Sequence, residues 1–136
     1  MMNIFPTVFL SMLAYFILRG FAGVLLLSLG MRHIKKDREM LRASIATHWP
    51  YFARISGFLV LKLAVIEILI GAMFIVGAYT QIAALIGFVF SFKMLLSHKC
   101  LPYPLMPPPF FWVLMLAVCA SLFITGAGAF ALDLPI

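Results

Sequence analysis

Four apolar runs, at about residues 8–30, 55–76, 79–97 and 110–130, take up most of this chain. The hydrocarbon layer of a bilayer is ~30 Å thick and offers backbone amides no partner, so a crossing helix needs ~20 mostly apolar residues. A chain of 136 residues filled by four such runs is expected to be an all-α, integral membrane four-helix bundle, one membrane domain over residues 1–136. No room is left for a soluble catalytic domain. Composition agrees: 65% of residues are hydrophobic and 10% charged, with mean hydropathy +1.17. Too few polar residues remain to cover a water-facing surface.

The formal net charge is +6, and its placement decides what it means. The segment 31–54, MRHIKKDREMLRASIATHWPYFAR, carries Arg32, Lys35, Lys36, Arg38, Arg42 and Arg54. Lys99 and nearby Lys93 mark the third connection, whereas the 77–80 turn and both ends carry no Lys or Arg. Basic connections stay on the cytoplasmic side. The expected topology therefore has a cytoplasmic basic loop at 31–54 and both termini outside. A prokaryotic cytoplasmic (inner) membrane is the expected location. The charge is a topology signal, and nucleic acid is not an expected partner. Within the loop, IKKDREMLRASIATHW is able to form a short amphipathic helix whose bases meet lipid headgroups.

The N-terminal MMNIFPTVFL has no basic stretch ahead of a long apolar run, so it reads as a retained span, not a cleaved signal peptide. The connector SHKCLPYPLMPPP holds Pro102, Pro104 and Pro107 to Pro109. Proline lacks the helix-donating N–H, so this piece reads as stiff and extended. Cys100 and Cys119 show no metal or redox spacing and read as plain membrane thiols. His33, His48 and His98 fall near the basic interface and read as interfacial polar residues. Trp49, Tyr51, Tyr103 and Trp112 read as interface-belt aromatics. Gly20, Gly23, Gly71, Gly126 and Gly128 are small residues that permit close helix approach. No nucleophile–base pair, phosphate loop or zinc signature is present, so no catalytic residue and no metal ligand is assigned.

The informative residues are the charges inside the spans. LVLKLAVIEILIG, residues 59–71, places Lys62 and Glu67 within an apolar run, and Arg19 interrupts the first span. Each such charge costs ~2.5–3.5 kcal/mol at the bilayer centre and normally faces the bundle interior. Lys62 and Glu67 are five residues apart, ~140° around a helix, so they do not pair with each other. With the first span ending at Gly30 and the second starting at Ile55, Arg19 and Glu67 both lie ~17 Å deep at ~1.5 Å per residue. An Arg19–Glu67 ion pair is the economical expectation. Lys62 and Lys93 are shallower and snorkel. Such a pair either fixes helix register or forms a polar site that binds or protonates a ligand, a quinone headgroup for example.

Several stretches resemble DoxX-like proteins. IEILIGAMFIVGAYTQIAALIGFVFSFKM, Ile66 to Met94, is similar to the family's acid, glycine-containing apolar run, glycine-threonine turn and alanine-alanine-leucine helix start. LRGFAGVLLLSLG at 18–30 resembles its first helix, and GAGAFALD at 126–133 its closing motif. The resemblance implies a four-helix membrane protein of the kind found as a small subunit of thiosulfate:quinone oxidoreductases. It carries over Arg19, Glu67 and Asp133 as site positions, with quinone as the implied ligand and no covalently bound cofactor. Leu29, Gln81, Ala129 and Phe130 replace polar residues of the family pattern, which favours an accessory role.

The expected function is a non-catalytic accessory subunit of a larger membrane redox or energy-converting complex, with lipids and larger subunits as partners. One alternative is direct participation in quinone reduction by a thiosulfate or sulfide oxidoreductase, using Arg19, Lys62 or Glu67. Another is a small proton-coupled exporter. That reading ranks last, because a carboxylate held by a base is poorly suited to proton-for-cation exchange.

Overall fold

The computed structural model describes residues 4–98 and 106–126 of the chain. Every regular element there is helical: α1 Ile4–Lys35, α2 Arg38–His48, a 3-10 turn Pro50–Ile55, α3 Ser56–Val76, α4 Thr80–Ser97 and α5 Pro109–Thr125. Three stretches are long and apolar enough to cross a membrane, Leu10–Lys35, Pro50–Val76 and Thr80–Ser97, and Pro109–Thr125 is a shorter apolar helix. The fold is an all-helical membrane bundle of four apolar helices, with α2 as a polar addition at its basic end.

Local chemistry explains the ends of these elements. The last turn of α1 holds Arg32, His33 and Lys35, cations that complement the partial negative charge of a helix C-terminus. The chain leaves that helix through backbone bonds from Lys36 and Asp37 to the Arg32 carbonyl. The Arg32 side chain then closes on Asp37 at 2.6 Å, fixing the corner from which α2 starts. Leu41 and Ile45, four residues apart, are the buried residues of α2, while Arg38, Arg42 and His48 are exposed. That is the spacing of a helix lying on a surface. Gly77 ends α3 in the left-handed conformation, φ 72°, and returns its N–H to the Met73 carbonyl at 2.8 Å. Three residues suffice to reach α4, so α3 and α4 are antiparallel neighbours. Pro109 occupies the first turn of α5, where a missing N–H costs nothing.

The helices associate as two intimate pairs, α1 with α3 and α4 with α5. Glycine sets the first pair. A Cβ on Gly23 would lie 2.8 Å from the Gly71 carbonyl oxygen, and one on Gly71 would lie 2.8 Å from the Gly23 carbonyl oxygen. Backbone touches backbone here, the close approach that small residues allow in membranes. Seven residues on, Gly30 meets the Ala64 backbone in the same way. In the second pair, Ala83, Ala84, Phe90 and Met94 of α4 are buried, as are Trp112, Met115, Cys119 and Leu122 of α5. Gly87 is where the pairs meet, with the Cys119 sulfur, Ile70 and Phe74 around it.

Some sequence expectations change. Trp112 is not an interface residue: it is buried to 1% exposure with its ring edge-on to Phe90 at 5.9 Å. Gly20 has nothing within 4 Å of its Cβ position, so it takes no part in helix contact. Gly128, Tyr103, Cys100 and most of the proline connector lie outside the described residues.

Candidate functional site: a buried acid–imidazole pair

Along α1 the buried residues are Arg19, Ala22, Gly23, Leu26, Leu29, Gly30 and His33. Their steps of three and four trace one face of a helix. The facing stripe on α3 is Val60, Ala64, Glu67, Ile70, Gly71 and Phe74. Two polar groups in these stripes meet: Nδ1 of His33 lies 2.6 Å from Oε2 of Glu67, and both side chains are fully buried. The contact spans two helices and 34 residues of sequence. Gly30 lies beside it, its Cβ position 3.1 Å from the Glu67 Cβ. Any side chain at Gly30 would press on the carbonyl of Ala64 and push the acid away from the imidazole.

The pairing expected from sequence, Arg19 with Glu67, is not formed; the carboxylate is held by His33. The reason is helix length and register. α1 does not stop at Gly30 but continues to Lys35, which places Arg19 deeper than a span ending at Gly30 would. The Gly23–Gly71 and Gly30–Ala64 contacts bring Arg19 level with the far end of α3. There its guanidinium occupies the space beside Gly77: a Cβ on Gly77 would come within 2.7–2.8 Å of three guanidinium atoms. Glu67 is ten residues back along α3, ~15 Å at the helical rise. Arg19 is itself fully buried, and its guanidinium sits 5.6 Å from the centre of the Phe16 ring, within cation–π range.

The remaining candidates sit apart from the pair. Lys62 and Lys93 are exposed on the bundle surface. Asp133 lies outside the described residues. His48 is exposed, with Nδ1 3.1 Å from the Ser44 carbonyl, and His98 is half-buried. Sequence reasoning missed the role of His33 by assigning it to the interface. The signal was present: continuing the Arg19–Leu26 step by seven residues lands on His33.

Oε2 of Glu67 is engaged, but Oε1 is buried and accepts no hydrogen bond from the described residues. Native proteins rarely leave a buried polar atom without a partner, and those that do so usually have a reason at that position. Two clefts bear on what the bundle can hold. One, of about 30 Å³, lies between α1 and α5 and is lined by apolar residues including Phe21, Ala22, Phe111 and Met115. The other is a shallow notch of about 340 Å³ by α2, bounded by Glu39, Arg42, Ala53 and Ser56. Neither is lined by His33, Glu67 or Arg19. Among the described residues no three His, Cys, Asp or Glu side chains come together as a metal site.

Gly77 tests the placement of Arg19. An alanine there must adopt a left-handed backbone, costing ~1–2 kcal/mol, and displace a buried guanidinium. Gly77→Ala should lower stability by ~2 kcal/mol or more, read as a lower midpoint of detergent-induced unfolding. An unchanged midpoint would mean that Arg19 does not fill this space.

No family model, curated relative or solved structure matches the chain.

Proposed function

We propose that this chain is a non-catalytic accessory subunit of a larger membrane redox or energy-converting complex. Its basic end faces the cytoplasm and its apolar surface meets lipid, quinone tails and partner helices. The observation that carries this reading is the sealing of the polar seam. His33, Glu67 and Arg19 have no exposed surface, and the apolar cleft between α1 and α5 measures about 30 Å³. A site that turns over a ligand of quinone size is a cavity of ~300 Å³ or more with polar groups converging on it. On this reading the wider notch beside Arg42, at the basic end, meets lipid headgroups. The resemblance to DoxX-like proteins supports the same reading, because members of that kind serve as small subunits of larger oxidoreductases.

Outward-facing apolar side chains cover every long helix, among them Phe21 on α1, Phe58 and Leu69 on α3, Val89 on α4, and Phe110 and Ile124 on α5. A surface of this kind is at home in lipid and equally against other membrane helices, where small and apolar side chains pack by shape. The test is purification from the native membrane in a mild detergent, followed by mass spectrometry of the intact assembly. Stoichiometric larger subunits of a redox or energy-converting system are expected. A homogeneous small oligomer of this chain alone would refute the reading and make transport the leading one.

A further inference from the structure

We propose that His33 and Glu67 form a proton-exchange site between the basic face and the bundle interior. Four observations lead there. The two groups are 2.6 Å apart, close enough for one proton to be held on either Nδ1 or Oε2. Both are fully buried, and burial favours the arrangement with no net charge, which holds one proton between them. His33 stands in the last turn of α1, two residues from its end at Lys35, so the imidazole is the step nearest the aqueous boundary. Oε1 of Glu67 accepts nothing from the described residues, so an acceptor atom remains for an onward donor or acceptor. Ionisable groups in membrane spans commonly mark such relays.

The step is a proton transfer alone. From the Nδ1–H imidazole beside the ionised carboxylate, a proton taken up at Nε2 of His33 gives the uncharged pair, in which the Nδ1 proton passes to Oε2 of Glu67. The carboxyl group then hands it to a water or partner group, which leaves the imidazole as its Nε2–H tautomer; the same steps in reverse restore the Nδ1–H form. Nothing is oxidised or reduced, and charge is conserved at each transfer. The helices need not move, because Gly30 holds α1 against α3 at the pair.

Besides the pair, Asp37 is buried at this end, and it is engaged with Arg32. On α1, Arg32 is engaged with Asp37 at 2.6 Å and Lys35 is exposed. On α2, Glu39 and Arg42 are exposed, as is Lys62 on α3. From the second helix pair come the exposed Lys93, the half-buried His98 and the buried Cys119 at the Gly87 crossing.

The test is magnetic resonance of ¹⁵N-histidine-labelled full-length protein in phosphatidylcholine nanodiscs, titrated from about pH 5 to about pH 9 across the range where imidazoles change charge. Loss of one signal in His33→Gln assigns His33. The expected result is a pH-dependent step in the His33 nitrogen signals that Glu67→Gln removes or displaces, since the two groups share a proton. A His33 signal that stays fixed over the range in wild-type protein overturns the proposal and leaves a static clamp. So does a step that Glu67→Gln leaves in place. Infrared spectroscopy of wild-type protein transferred to D₂O keeps the question answerable if the variants fail to fold. Exchange of the shared proton within minutes supports the site, and retention for hours overturns it.

Discussion

Replacing His33 with leucine is expected to cost the bundle ~3–5 kcal/mol, the range seen when one member of a buried ion pair is removed. The variant leaves Glu67 fully buried with its His33 partner gone and Oε1 already without a donor among the described residues. Protonation of the acid limits the loss, but a neutral carboxyl still carries a buried hydroxyl and a carbonyl to satisfy. The double variant His33→Leu/Glu67→Leu should recover most of the loss and come within ~1 kcal/mol of wild type, because removing both polar partners removes the desolvation cost as well. His33→Gln, which keeps a donor, should fall between them. Midpoints of detergent-induced unfolding, followed by helical circular dichroism, give all three values. If the single and double variants lose stability equally, the two side chains are not coupled and the pair is not what holds α1 to α3. The double variant also separates stability from chemistry: a folded bundle without the pair has nothing with which to exchange a proton.

The helices were legible because lipid imposes one rule on a whole segment, and apolar length alone reveals it. The helix α2 was legible in outline, as the stretch IKKDREMLRASIATHW able to form a short amphipathic helix, and the structure adds that Leu41 and Ile45 are its buried residues. Glu67 stood out because an acid within LVLKLAVIEILIG has to be buried against something or expelled, and its separation from Lys62 already placed the two on different faces. Its partner was not legible by depth. That estimate took Gly30 as the end of the first span, on the premise that a helix stops where the sequence turns polar. Backbone hydrogen bonding has no such limit, and α1 runs through Met31, Arg32 and His33 to Lys35. The register is set by where glycine lets two backbones touch, a pairwise property that neither helix displays alone. Asp133 and most of the proline connector fall outside the described residues. Trp112 shows the same lesson for aromatics: its indole is buried edge-on to Phe90 of α4, a contact between helices that neither displays alone.

Two glycines three residues apart on α1 should respond to alanine with opposite signs. At Gly20 nothing lies within 4 Å of the new methyl group. The substitution there only removes backbone freedom from a helix, a gain of ~0.5–1 kcal/mol. At Gly23 the methyl would sit 2.8 Å from the Gly71 carbonyl oxygen and from an Ile75 side-chain carbon. Gly71→Ala meets the reciprocal contact, with the Gly23 carbonyl oxygen and the Leu27 nitrogen both at 2.8 Å. Backbone atoms cannot turn aside as a side chain can, so α1 and α3 must separate. The expected loss is at or above the upper end of the ~1–3 kcal/mol seen for overpacking. Separation also weakens every contact in the seam, because dispersion falls steeply over a gap of a few tenths of an ångström. Gly30→Ala carries the argument to the candidate site, since its methyl would press on the Ala64 carbonyl at 2.8 Å and the Glu67 Cβ at 3.1 Å. It should lower the unfolding midpoint and lengthen the His33–Glu67 contact together, and the histidine nitrogen signals should shift with it. If Gly71→Ala and Gly20→Ala unfold at the same midpoint, the glycine contact does not set the register, and the pairing of His33 with Glu67 loses its structural basis.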